Sequence, residues 1–185
     1  MNTAKRLAFA VALTLLTGLF WSTQAQSLST KLQTIEVSPG IEGTDKGMMY
    51  GATYLGKTTG VLPGSFFLSM NYDMTSVLTA RLSLAQQVPS IQNITGGTWS
   101  LPVYRGSLYL GAIYGHIQEG TMQGTPGGLR PSTVNMILVV DGGTQTYDGT
   151  SGSGTFSGTL NHVTKDGIPT MSGTLSFDLS NKRTF

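Results

Sequence analysis

The sequence predicts an all-β fold, a small antiparallel barrel of eight strands with no substantial helix in the mature chain. Apolar residues recur at every second position in several segments, which is the period of a strand with one buried face. Gly, Asn, Asp or Pro separate these segments, so the predicted connections are short turns rather than helical crossovers. Many of the 25 glycines lie within or beside predicted strands, where a small barrel requires tight curvature.

Eight segments carry the strand signal. They are residues 48–56, 66–74, 77–84, 99–103, 108–118, 134–140, 155–160 and 171–179. In the second segment Phe66, Leu68 and Met70 share one parity, while Ser69 and Asn71 occupy the other. This alternation predicts one face toward a core and one toward solvent.

Two of the segments leave alternatives open. Residues 77–84 fit either a strand or a short helix, and Pro89 ends whichever forms. In the segment 134–140, Ile137 and Val139 are apolar on the parity opposite to the main apolar row. That pattern indicates either burial on both faces or contact with another subunit.

The N-terminal residues predict an export signal. Lys5 and Arg6 precede an apolar run over residues 7–21, and Thr23 and Ala25 supply small residues for cleavage after Ala25. The alternative is an uncleaved anchor, for which the run is short because a bilayer span takes about 20 residues. We predict a signal peptide at 1–25, an N-terminal leader with at most one short strand at 26–47, and a β-barrel domain at 48–185. The mature protein is expected to be secreted or periplasmic.

The composition excludes several kinds of site. Removing Lys5 and Arg6 with the signal leaves nine of the 11 basic residues, which balance the nine Asp and Glu residues. A neutral chain without clustered Lys and Arg lacks the electrostatic footprint for nucleic acid or anionic lipid. The chain has no cysteine, which excludes disulfides, a thiolate nucleophile and cysteine-based metal sites. We therefore predict no metal and no cofactor.

Four tyrosines on predicted strands are candidates for the polar groups of a ligand pocket: Tyr72, Tyr104, Tyr109 and Tyr114. A tyrosine at a barrel mouth combines an apolar ring with a hydroxyl that requires a partner. The alternative is that these rings belong to the core or to cross-strand pairs. Arg105 is a candidate for orienting a carboxylate ligand, with a solvated surface position as the alternative.

His116 and Glu119 are candidates for an acid and base pair. They are three positions apart, so a regular strand directs them to opposite faces of the sheet. A β-bulge at Gly115 or Gly120 would change that arrangement. The chain shows no nucleophile accompanied by a base and an orienting acid, so we assign no catalytic residue.

The strongest pattern in the sequence runs from Val140 to Ser153. It consists of Val140-Asp141-Gly142-Gly143-Thr144, then Tyr147, Gly149-Thr150 and Gly152-Ser153. The pattern resembles the late-barrel hairpin of the allene oxide cyclase and dirigent group, whose barrels are calycin-like. Gln145 stands where that group commonly has a further glycine. We interpret Asp141 and Asp148 as turn residues.

The resemblance implies a closed barrel with an apolar lumen, often assembled as a homotrimer. In plant relatives the barrel guides the cyclisation of an unsaturated fatty-acid epoxide or the coupling of phenoxy radicals. Catalysis there depends on a few lumen residues and on the shape of the pocket. None of those catalytic residues can be placed on this chain.

Three functional hypotheses follow. The first is an exported barrel that binds an apolar or aromatic small molecule in its lumen, with or without a cyclase or isomerase activity; a fully packed lumen would contradict it. The second is a non-enzymatic structural or interaction protein of the cell envelope or matrix. The third is an eight-stranded outer-membrane barrel, although Asn181 and Arg183 break the alternation of a lipid-facing last strand. We expect no stable membrane insertion.

Overall fold

The computed structural model describes residues 26–42, 48–73, 76, 88–126, 131–162 and 164–181. The predicted signal peptide at residues 1–25 and the predicted strand at residues 77–84 lie outside these ranges. Within the described ranges, no helix has both the length and the apolar character required to cross a membrane.

Eight strands form a closed barrel and follow one another around it in chain order. They are β1 (Gln26–Glu42), β2 (Met48–Gly60), β3 (Gly64–Asp73), β4 (Ser90–Arg105), β5 (Leu108–Gly124), β6 (Ser132–Gly143), β7 (Thr150–Asn161) and β8 (Thr170–Asn181). All neighbours are antiparallel, and β1 pairs with both β2 and β8, so the sheet closes on itself. A one-turn 3-10 helix at Gln145–Tyr147 connects β6 to β7. The predicted fold class is confirmed.

The first strand is longer than the sequence predicts. Residues 26–47 were expected to hold at most one short strand, whereas β1 has 17 residues and supplies the eighth strand of the barrel. Its inward positions alternate threonine with leucine, as at Thr30, Leu32 and Thr34, which are all buried. The Thr30 hydroxyl donates to the carbonyl oxygen of Thr59 at 2.8 Å. These polar side chains can lie inside the barrel because their hydrogen bonds are satisfied there. Their presence breaks the apolar alternation of β1.

The middle of the barrel is packed with apolar side chains. The Trp99 ring lies between two phenylalanine rings, with centroids 6.4 Å from Phe66 and 5.3 Å from Phe177. Six side chains that five strands direct into the barrel are 0% exposed: Leu68, Leu101, Ile113, Leu138, Met171 and Leu175. A water-sized sphere touches none of them, so the centre of the lumen leaves no room for a ligand beside these residues.

The two ends of the barrel are built differently. At one end the turn between β2 and β3 folds back over the lumen, because Leu62 is buried and its carbonyl oxygen accepts the Thr58 hydroxyl at 2.6 Å. We call this the plugged end. At the opposite end, Glu36, Tyr54 and Tyr72 face inward, and we call it the tyrosine end. Both ends of the lumen therefore contain polar groups.

Candidate functional site

Glu36, Tyr54 and Tyr72 form a polar cluster inside the tyrosine end. They come from β1, β2 and β3, and Glu36 is the direct cross-strand partner of Tyr54. The tyrosines are 2% and 5% exposed, whereas Glu36 is half-buried. The Tyr54 and Tyr72 hydroxyls influence each other's pKa, and the Tyr72 hydroxyl lies 4.0 Å from the Met70 sulfur. The cluster is thus a connected set of polar groups on an apolar background.

The environment favours the protonated form of all three groups. Burial raises the pKa of the Glu36 carboxyl above its ordinary value. Burial is also the largest cause that raises the pKa of both phenols, and the nearby Glu36 charge raises both further. The hydrogen bond between the phenols raises the pKa of Tyr54 and lowers that of Tyr72, as expected when Tyr54 donates. Glu36 is therefore the group of the cluster suited to exchange a proton.

Strand irregularities surround the cluster. The register between β1 and β2 shifts just after Glu36, and a second shift follows Met49 on β2. A third shift, between β3 and β4, lies next to Tyr72. Bulges change the direction of side chains and increase local twist, so these shifts set how the cluster points into the barrel mouth. Gly51, with φ of +76°, adopts a conformation at the β2 shift that favours glycine.

The predicted site tyrosines do not come together. Tyr72 lies inside the barrel, whereas Tyr104, Tyr109 and Tyr114 are exposed. The rings of Tyr104 and Tyr109 form a tilted cross-strand pair, 5.4 Å apart, next to the plugged end. This pairing fits the alternative that the sequence left open for these residues. Arg105 is exposed beside them.

A β-bulge places His116 and Glu119 on the same face of the sheet. The register between β5 and β6 shifts between Ile117 and Glu119, and both candidate side chains are exposed on the outer face. The strand is therefore not regular here, and the shift after Ile117 has the effect that the sequence left open for a bulge at Gly115 or Gly120. His116 pairs instead with Asp141, whose carboxylate oxygens lie 2.8 and 3.0 Å from the His116 Nδ1. Asp141 belongs to β6 and is not a turn residue.

Sequence reasoning missed two members of the tyrosine-end cluster. Glu36 falls in the predicted leader, and a charged side chain is rarely assigned to a barrel interior. Tyr54 falls on a predicted strand whose other inward residues, Ala52 and Thr58, do not form an apolar row. The available signal was parity: Glu36 stands two positions after Thr34, on the same side of the strand. Among the described residues, no group of three or more His, Cys, Asp or Glu side chains could hold a metal ion.

Comparisons with known proteins do not extend this description. No protein-family model matches the chain. No significant match to a curated protein is found either. The resemblance to the allene oxide cyclase and dirigent group therefore stays a prediction from the sequence.

Proposed function

We propose that this protein is a binding barrel that holds a small apolar or aromatic molecule at its tyrosine end. The observation that carries the proposal is the inward-facing cluster of Glu36, Tyr54 and Tyr72. Because the centre of the lumen is packed, the ligand occupies the mouth and not the full depth of the barrel. An apolar wall with a few convergent polar groups is the usual composition of a small-molecule site. A ligand oxygen would then meet the Glu36 carboxyl, while the apolar body packs against aromatic rings.

The same cluster supports an isomerase or cyclase activity. A carboxyl whose pKa is raised by burial holds its proton to a higher pH than a free carboxyl does and can act as an acid or a base. In this proposal Glu36 transfers the proton at its carboxylate oxygens, and the protonated phenols of Tyr54 and Tyr72 are the neighbouring polar groups. Confinement of a flexible substrate in the mouth would supply the remaining rate enhancement. The part played by confinement is what the family resemblance implies.

We further propose that the barrel acts outside the cytoplasm, in the periplasm or the medium. The basic and apolar pattern of residues 1–25 supports export. The outward positions of the strands carry mainly hydroxyl and amide side chains, as on β7 at Ser153, Thr155 and Ser157. An outer-membrane barrel has the reverse arrangement, with an apolar outer band and a polar lumen. The orientation of the side chains thus favours a water-exposed barrel.

An interaction protein is the second candidate function, and an apolar row on the outer face favours it. Ile35, Leu55 and Phe67 are direct cross-strand partners on β1, β2 and β3. They are 48%, 42% and 39% exposed, and a groove of about 550 Å³ lies beside the first two. A contiguous exposed apolar patch commonly marks a contact surface. A homotrimer joined through this row would cover it.

Native mass spectrometry of the protein purified from its own host tests both candidates. We expect a retained small molecule in the wild type and a loss of it in Glu36→Gln and in Tyr72→Phe, because each substitution alters a polar group of the mouth. Tyr109→Phe, on the outer face, is the matched control and should retain the ligand. The same spectra report the number of subunits.

The outcomes separate the two functions. Equal retention of the ligand by all variants would show that it binds elsewhere and would contradict the proposed site at the mouth. Ligand-free spectra that show a defined oligomer would favour the interaction protein. A ligand-free monomer would contradict both.

A further inference from the structure

A groove on the outer face of the barrel is separate from the tyrosine end. It crosses β4 to β7 and has a volume of about 710 Å³. Its rim is a row of directly paired polar residues, one from each strand: Asn93, Thr121, Asn135 and Ser157. The Ser157 hydroxyl donates to the Asn135 side-chain oxygen at 2.9 Å, so the Asn135 amide can offer its N–H groups to a ligand.

The groove coincides with an interruption of the barrel wall. β4 and β5 are paired at Ile94 with Gly120 and at Thr98 with His116. Between these two pairs, residues 95–97 of β4 lie opposite residues 117–119 of β5 without pairing. A Cβ atom on Gly96 would meet a single atom within 4 Å, a carbonyl oxygen at 3.8 Å. Thr95, Gln118 and Glu119 of this unpaired stretch line the groove.

The outer face of β5 continues the groove toward the plugged end. Tyr114, His116 and Gln118 stand at every second position and are all exposed. The Tyr114 hydroxyl lies 2.7 Å from the position that a Cβ atom of Gly142 would occupy, so the ring lies across that glycine with its other face toward solvent. His116 is paired with Asp141 of β6.

We propose that this groove binds a neutral glycan chain along β5. Amide and carboxylate groups can hydrogen-bond with sugar hydroxyls, and Gln118, Glu119 and Asn135 supply such groups to the lining of the groove. The exposed Tyr114 ring provides an apolar surface for the C–H face of one sugar ring. The described residues that line the groove include one carboxylate and no cationic side chain, which disfavours an acidic polysaccharide.

This inference does not depend on the proposed function at the tyrosine end. The groove lies on the outer face of β4 to β7, whereas Glu36 faces the lumen from β1. A variant at one site is therefore expected to leave binding at the other unchanged.

Titration calorimetry with defined oligosaccharides tests the proposal on the full chain. The probes are the neutral hexamers of glucose, xylose, mannose and N-acetylglucosamine in β-linkage, with hexagalacturonate as the acidic comparison. We expect at least one neutral hexamer to bind with a Kd below about 1 mM. Tyr114→Ala, Glu119→Gln and Asn135→Ala should each weaken that binding about fivefold or more, the cost of losing one net contact. Gln33→Ala, on the outer face of β1, is the control and should bind normally.

Three results would overturn the proposal. One is the absence of binding to every neutral hexamer by wild-type protein whose circular dichroism shows it to be folded. The second is binding of hexagalacturonate in preference to the neutral hexamers. The third is an equal loss in the groove variants and in Gln33→Ala, which would indicate a general effect on the fold.

Discussion

Glu36 is a carboxyl that faces the interior of an apolar barrel. Its half-buried position at the tyrosine end keeps one side of the group near solvent, which the centre of the lumen would not allow. Partial burial raises the pKa of the carboxyl without the full cost of an isolated buried charge. The residue is therefore tolerated at the barrel mouth, and it makes the stability of the fold depend on pH.

We predict the direction of that dependence. The folded protein retains the Glu36 proton at higher pH than the unfolded chain, whose carboxyl has a pKa near 4.5. At a pH below the unfolded-state pKa, Glu36 therefore makes its full contribution to the free energy of unfolding. That contribution decreases as the pH rises through the raised pKa of the folded protein. Glu36→Gln removes the charge, so its melting temperature should exceed that of the wild type at about pH 8 and match it at about pH 4.

Thermal unfolding followed by circular dichroism at both pH values checks this prediction. Glu119→Gln, at an exposed position of the outer face, is the matched control for the loss of a carboxylate. A stabilisation by Glu36→Gln that is the same at both pH values, or larger in acid, would show that the carboxyl is not held in its protonated form.

At the residue scale, parity predicts direction only where the strand is regular. It correctly assigns Phe66, Leu68 and Met70 to the interior. It fails at His116 and Glu119, because the bulge on β5 adds one residue and returns Glu119 to the outer face. The ion pair of His116 with Asp141 could not be predicted either, since it depends on the register between two strands.

β1 shows how an element can be missed when its inward positions are partly polar. Threonine forms strands readily, but its presence at Thr30 and Thr34 removes the apolar alternation that identifies a strand. The sequence predicts eight strands, and the described residues form eight. The two sets differ, because β1 completes the described barrel and the predicted strand at residues 77–84 lies outside the described ranges. Register with β2 and β8 is a tertiary property, which a single segment does not encode.

A test of β1 compares two neighbouring positions. Leu32 is 1% exposed, so Leu32→Ala should lower the free energy of unfolding by about 2–5 kcal/mol. Gln33 points outward, and Gln33→Ala should change that free energy by less than about 0.5 kcal/mol. Urea denaturation measures both. Similar small effects at the two positions would mean that β1 is a loosely attached leader and not a wall of the barrel.

At the scale of the whole molecule, the packing determines where function can reside. Trp99 and its phenylalanine neighbours fill the centre of the lumen, and the turn containing Leu62 covers the plugged end. The sites that we propose therefore lie at the tyrosine end and on the outer groove. The sequence predicts an apolar lumen correctly, but whether apolar side chains fill a lumen or merely line it depends on how they interlock, which composition and alternation do not specify.

A closed barrel also predicts a single cooperative unfolding transition. β1 pairs with β8, so the strands nearest the two ends of the described chain hold each other, and opening any pair exposes two edges and the common core. In a Trp21→Phe background, the fluorescence of Trp99, the other of the two tryptophans, should report the core. Its urea midpoint should coincide with that of far-ultraviolet circular dichroism, and Leu32→Ala should shift both midpoints together. If Trp99 became exposed at a different urea concentration from the loss of strand signal, part of the barrel would unfold independently, and closure through β1 would not be what couples the strands.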